Sequence, residues 1–130
     1  MKQAIQTHAA PAAVGPYSQA IELDGWIFCS GQIGLDAATG KLVEGGIEAE
    51  TRRVMENLRE VLDAAGARLA DVVKATIFLT DLKDFETVNR IYSEHFEQPY
   101  PARSTVQVSA LPRGARVEIE VIARRSSAVP

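Results

Sequence analysis

Apolar residues recur along this chain at a spacing of two, then of three to four, then of two again, and the changes of period mark the elements. Ser18–Leu23 and Trp26–Ser30 read as strands. Asp24-Gly25 between them is a two-residue hairpin signal, because a type I′ turn needs positive φ at both positions. The turn-rich stretch from Asp36 to Gly46 leads into a helix from Ile47 to Ala65. Ile47, Thr51, Val54, Leu58, Val61, Leu62 and Ala65 line one face of it, while Glu48, Glu50, Arg52, Arg53, Glu56 and Arg59 fall largely elsewhere. Gly66 suits a left-handed C-terminal cap. Val72–Thr80, rich in β-branched residues, reads as a buried strand. A shorter helix is expected over Phe85–Phe96, with Asp84 as N-cap and Phe85, Val88, Tyr92 and Phe96 facing inward. Pro99 and Pro101 end it and enforce an extended approach to the next strand. Arg103–Leu111 and Val117–Arg125 are expected to form a hairpin around Pro112-Arg113-Gly114.

The order ββαβαββ is an α+β pattern in which the two helices cover one face of the sheet. On one strand Ser104, Val106, Val108 and Ala110 alternate with Arg103, Thr105, Gln107 and Ser109. On the last, Val117, Ile119, Val121 and Ala123 alternate with Glu118, Glu120, Ile122 and Arg124. One face is apolar and belongs under the helices. The other is mixed, with Ile122 and Phe78 among polar groups, and faces either water or a second subunit. On this alternation Arg103 and Glu120 share the less apolar surface.

A chain of 130 residues fits one compact domain, 1–130, and 46% hydrophobic with 24% charged residues provides a core on a charged surface. The formal charge of −3, from 17 acidic and 14 basic residues, offers no broad phosphate-binding surface, so nucleic acid is not an expected partner. Arg113, Arg116, Arg124 and Arg125 read as solvated strand ends. Cys29 is the only cysteine, which precludes an intrachain disulfide and a cysteine-rich metal site. The segment Met1–Ala13 lacks the pattern of a signal peptide, and no stretch approaches the ~20 apolar residues of a membrane span. The expectation is a cytoplasmic protein with no membrane partner.

Few side chains suggest chemistry by themselves. His8 and His95 belong to no paired ligand motif, so no metal is expected, and His95 reads as a surface residue favoured by the helix dipole. Gly45-Gly46 is explained by loop flexibility rather than phosphate binding. Cys29, in the apolar run Trp26-Ile27-Phe28-Cys29, reads as a buried, inert thiol, and Lys74 has no named partner to activate it as a Schiff-base amine. Arg103 offers a planar fork for a carboxylate, but the residue pattern alone favours a partner for Glu118 or Glu120 on an adjacent strand.

Gly15-Pro16-Tyr17-Ser18-Gln19-Ala20, Ser30-Gly31-Gln32-Ile33, Val88-Asn89-x-x-Tyr92, Pro101-Ala102-Arg103-Ser104 and Val117-Glu118-Ile119-Glu120, in order from about Ala10 to Arg125, resemble the reactive intermediate deaminase A family, also called the YjgF/YER057c/UK114 family. The resemblance implies a chorismate mutase-like fold assembled as a homotrimer, with sites in clefts between subunits. It implies hydrolytic deamination of 2-aminoacrylate and related enamine or imine acids, released by pyridoxal-phosphate enzymes, to 2-keto acids and ammonia, with no cofactor of its own. By motif, Arg103 is the carboxylate clamp, Glu120 the acid/base or water-orienting residue, and Tyr17 a cleft residue from the neighbouring subunit. Ser30 and Gly31 shape the pocket and Asn89 supports it by hydrogen bonding. Thr105 stands where the family often has cysteine, and it is expected to contact substrate through its backbone amide. A regulatory module that holds keto or imino acids without turnover would use the same arginine.

Overall fold

The computed structural model describes residues 1–126. Its strands are β1 (Gln3–Ile5), β2 (Ala20–Leu23), β3 (Trp26–Cys29), β4 (Val72–Leu79), β5 (Ala102–Gln107) and β6 (Val117–Arg124). The helices are α1 (Gly46–Ala64) and α2 (Phe85–Ser93), and the strands form one sheet in the order β1-β2-β3-β6-β4-β5. The α+β class and the pair of helices over one sheet are as expected. The edge strand β1 is additional: three residues with two exposed side chains leave no periodic signal.

Two turns follow their residue chemistry. Asp24 and Gly25 have φ of 52° and 85°, which closes the β2–β3 hairpin in register Leu23↔Trp26. Beyond α1, Gly66 adopts φ 76°, its N–H donating to Asp63 O at 3.0 Å, while Ala67 N–H reaches Leu62 O at 2.9 Å. That pair of bonds is the Schellman arrangement, open to glycine because it lacks a Cβ. The start of α2 departs from expectation. Asp84 makes no side-chain cap; a 3₁₀ turn (Leu82–Asp84) precedes the helix, and Asp81 accepts from the Lys83 N–H at 3.0 Å instead. α2 also stops at Ser93, short of Phe96. His95 lies half-buried just past this end, with Nδ1 2.9 Å from Ile91 O, a last-turn carbonyl that also accepts from the Glu94 N–H at 3.0 Å.

The expected β5–β6 hairpin does not exist. β5 pairs parallel with β4, joined by α2 in a β-α-β unit, while the chain after β5 runs back so that β6 lies between β3 and β4, antiparallel to both. Parallel neighbours need a crossover, and α2 supplies it. Pro112–Gly114 is a 3₁₀ turn on this longer return.

The core lies between the helices and the sheet. Val54, Leu58, Val61 and Leu62 of α1 pack over Ile27, Ala75, Ile77, Val117 and Ile119, all essentially without solvent contact. The alternation assigned to β6 holds: Val117, Ile119, Val121 and Ala123 are buried, and Glu118, Glu120, Ile122 and Arg124 take the other face. On β5 it is reversed. Arg103 and Thr105 lie in register with Ala75 and Ile77 on the helix side, and Ser104 and Val106 pair with Thr76 and Phe78 on the open side. Arg103 and Glu120 are therefore on opposite faces of the sheet, not on one surface. Among the described residues no helix is long and apolar enough to cross a membrane.

Candidate active site

The sheet face not covered by helices ends, near β3, in a cavity of roughly 530 Å³ bordered by Tyr17, Ser30, Gly31, Ile33, Arg113 and Glu118. Each wall is held from the core. The Gln19 side chain, 3% exposed, ties down the N-terminal strap: its Oε1 accepts from Thr7 N–H at 2.7 Å, and Nε2 donates to Pro11 O at 2.8 Å and Thr7 O at 3.0 Å. This anchors the loop that presents Tyr17, itself 54% exposed. Ser30 uses its hydroxyl structurally, donating to Ser18 O at 2.6 Å. From α1, buried Asn57 donates to Leu35 O at 3.0 Å, and buried Glu50 accepts from the Arg116 N–H at 2.8 Å, fixing the two loops that flank the opening.

Glu118 is the carboxyl of this cavity. Its side chain lies across Gly31 so closely that a Cβ at position 31 would stand 2.0 Å from Oε2. Burial raises its pKa above the ordinary carboxylate range, and the negative charge of Glu120 adds to the rise. Glu120 sits two residues along the same face, roughly 7 Å away at strand spacing, in a smaller hollow of roughly 160 Å³ with Phe28, Lys74, Thr76 and Ile122. The structure thus brings Tyr17, Ser30 and Gly31 together with Glu118, and leaves Glu120 outside that cavity. Alternation places both glutamates on one face and cannot say which one a glycine makes room for, so the sequence names Glu118 without giving it a site role.

Arg103 is elsewhere. From edge strand β5 its guanidinium reaches onto α2, where Nη1 donates to Asn89 Oδ1 at 2.8 Å, and its carbon lies 4.9 Å from the Tyr92 ring centroid and 5.6 Å from that of Phe85. Neither glutamate of β6 is its partner, because β6 is not adjacent to β5. Burial raises the pKa of the Tyr92 phenol, opposed by the positive charge of Arg103. Thr105 lies on the same side of β5, and its hydroxyl is buried without a hydrogen-bond partner among the described residues. Two arrangements result within one chain: a guanidinium with Asn89 and Thr105 on the helix side, and a carboxyl with Tyr17, Ser30 and Gly31 on the open side.

Other candidates take structural places. Cys29 is buried and its pKa is pushed up to about 12 by desolvation, so it is no thiolate nucleophile near neutral pH. Lys74 Nζ is 3.4 Å from Ser104 Oγ. Among the described residues no group of three or more His, Cys, Asp or Glu side chains could hold a metal ion. The four arginines are dispersed: Arg113 donates to Gly40 O, Arg124 lies over Trp26, and Arg125 is tied to Ala65 O and Glu22, while Arg116 holds Glu50 through its backbone.

The family model described as Endoribonuclease L-PSP matches residues 7–125. The chain belongs to that family. Among its curated relatives is the 2-iminobutanoate/2-iminopropanoate deaminase of Mus musculus, 52% identical over 95% of this chain and 91% of the relative. The bovine protein of the same name is 50% identical over 95% of this chain and 90% of its own length. Solved members of the family superimpose closely. RidA from an Antarctic Psychrobacter is 48% identical with a TM-score of 0.91, covering 94% of this chain and 98% of that one. E. coli TdcF, solved with bound serine, is 41% identical with a TM-score of 0.88, covering 95% and 99%. The reactive intermediate deaminase resemblance read from the motifs is therefore correct. Within this Endoribonuclease L-PSP chain, Gln19, Tyr92 and Glu118 lie inside the motifs without a site role and Phe85 lies outside them; the i, i+4, i+7 spacing of Phe85, Asn89 and Tyr92 is the available signal for the α2 stripe.

Proposed function

We propose that this chain is a 2-iminobutanoate/2-iminopropanoate deaminase, which hydrolyses reactive enamine and imine acids such as 2-aminoacrylate to 2-keto acids and ammonia. The observation that carries the proposal is the pair of prepared groups: an arginine fork bonded to Asn89 on α2, with no other hydrogen-bond partner among the described residues, and a desolvated carboxyl over Gly31. The deaminase names of relatives at about half identity support the same substrate class.

In this account Arg103 holds the substrate carboxylate in two parallel hydrogen bonds, and Glu118 moves the protons. The protonated Glu118 gives its proton to the imine nitrogen. The carboxylate so formed takes a proton from the water that attacks C2. Returned to the nitrogen of the resulting carbinolamine, that proton lets the C–N bond break. The C2 hydroxyl then gives its own proton to Glu118, leaving a keto acid, ammonia and the carboxyl as it began. A raised pKa suits this role, since the acid form persists closer to neutral pH. The acid/base role expected of Glu120 is reassigned to Glu118. Glu120 contributes through its charge. Tyr17, Ser30 and Gly31 shape the cavity, and Thr105 is proposed to present its backbone amide to the substrate. No cofactor is part of the proposal.

Arg103 and Glu118 act on one substrate if they come from different copies of the chain. Phe28 at 45%, Val106 at 42% and Trp26 at 37% exposure lie on the open sheet face, an apolar surface of the kind that subunits cover. We propose a chorismate mutase-like homotrimer of single deaminase-like domains with its sites between subunits. A cytoplasmic setting, beside the pyridoxal-phosphate enzymes that release such imines, belongs to the same proposal. The dispersed arginines give no reason to propose RNA as substrate.

Coupling the protein to a serine or threonine dehydratase and following keto acid formation tests the activity: the wild type is expected to accelerate it, and no acceleration counts against the proposal. Glu118→Gln should abolish turnover, whereas a module that binds without turnover would be indifferent to it. The pH profile tests the carboxyl. Activity that needs protonated Glu118 is present at lower pH and declines as pH rises through its elevated pKa. Removing the neighbouring charge in Glu120→Gln lowers that pKa, so the declining limb should move to lower pH. A limb that stays in place or moves upward would exclude the coupling.

A further inference from the structure

Phe85, Asn89 and Tyr92 occupy one stripe of α2, and the Arg103 guanidinium lies along it. The two rings restrain the tilt of the guanidinium, and the 2.8 Å bond to Asn89 restrains its rotation within its own plane. Tyr92 is 4% exposed and its hydroxyl has no partner among the described residues, so the contact with Arg103 is made by the ring. Phe85, at 38% exposure, forms the outer end of the shelf.

We propose that Tyr92 and Phe85 are positioning residues that set the plane in which Arg103 receives a carboxylate, and through it the plane of the substrate's reacting double bond. The inference rests on the deaminase reading and adds which substrate geometry the site selects. A bidentate guanidinium–carboxylate pair is held in a common plane. In a 2-imino or 2-enamino acid the carboxylate is conjugated with the double bond at C2, so the whole group is planar. Fixing the guanidinium then fixes which face of C2 is turned toward water and Glu118. In a saturated 2-hydroxy or 2-amino acid, C2 is tetrahedral and rotation about its bond to the carboxylate is free, so the same shelf orients the carboxylate alone. The shelf therefore favours conjugated acids during reaction, and its loss falls on turnover more than on binding.

The test compares wild type, Tyr92→Phe, Tyr92→Leu and Phe85→Leu on imines generated from alanine or 2-aminobutanoate by an amino-acid oxidase, with equilibrium binding of lactate as the saturated reference. Tyr92→Leu should lower kcat about 10-fold, the scale of a desolvated cation–π contact, with smaller changes in KM and in lactate affinity. Tyr92→Phe keeps the ring and should retain wild-type kcat. Phe85→Leu, at the exposed end, should lose less, about 3-fold, and it carries the test if Tyr92→Leu fails to fold. Wild-type kcat in the folded leucine variants, a loss confined to KM, or an equal loss in Tyr92→Phe would overturn the inference while the deaminase reading stands. Absence of turnover in the wild type would overturn that reading first, and the inference with it.

Discussion

Arg103→Ala is expected to lower kcat/KM for the imine of alanine by about 100-fold, with the fold intact. Losing a desolvated, charge-assisted carboxylate contact costs roughly 3 kcal/mol, and each 1.4 kcal/mol is about a factor of ten. The side chain is half-buried at an edge strand and bonded to Asn89 rather than to a core group, so its removal leaves the sheet paired. Arg103→Lys keeps the charge but loses the fork, and should fall between alanine and wild type. An imine without a carboxylate gives the control: wild type and Arg103→Ala should process it at equal, low rates. Full activity of Arg103→Ala on the imino acid would remove the clamp from the account.

Gly31→Ala is expected to lower kcat about 100-fold while shifting the thermal midpoint by only a few degrees. The added methyl would stand 2.0 Å from Glu118 Oε2, 2.8 Å from its Cδ and 2.9 Å from its Cγ. No such contact is tolerated, but the obstruction is a side chain that can swing away. The carboxyl leaves the cavity and the backbone stays. What is lost is general acid–base catalysis, worth roughly 100-fold or more, while a strain of about 1 kcal/mol moves the midpoint of a domain this size by roughly 4 °C. Steady-state kinetics beside a thermal melt separates the two effects. A variant with wild-type kcat would show that Glu118 need not lie where Gly31 admits it.

The chain announced those parts of its fold that depend on local chemistry. Asp24-Gly25 fixes a turn because both residues tolerate positive φ, and Gly66 caps α1 for the same reason. The apolar face of α1 and the alternation of β6 were legible because one side of each meets the core. β5 misled for a physical reason. Val106, being apolar, reads as a core residue, yet it is 42% exposed on the open face, while Arg103 and Thr105 lie on the helix side. An edge strand half-covered by a helix carries no clean alternation, and apolar residues meant for a partner look like core residues. Pairing failed with it: neighbours in sequence suggested a β5–β6 hairpin, whereas the α2 crossover commits β5 to β4. Arg103, Tyr17, Ser30, Gly31, Asn89 and Thr105 enter the proposed site through the motifs that contain or adjoin them. Which glutamate joins the cavity depended on the clearance above Gly31, a distance that no spacing encodes.

The central claim is that Arg103 of one subunit and Glu118 of another serve the same substrate. Co-expressing Arg103→Ala and Glu118→Gln chains under different tags, and assaying the mixed assemblies isolated through both, tests it most directly. Each variant alone should be nearly inactive. Every mixed trimer holds two chains of one kind and one of the other, so one interface in three pairs the intact arginine of one chain with the intact glutamate of its neighbour, and roughly a third of wild-type activity per site should return. Mixed assemblies no more active than either parent would place both groups in one chain and contradict the account.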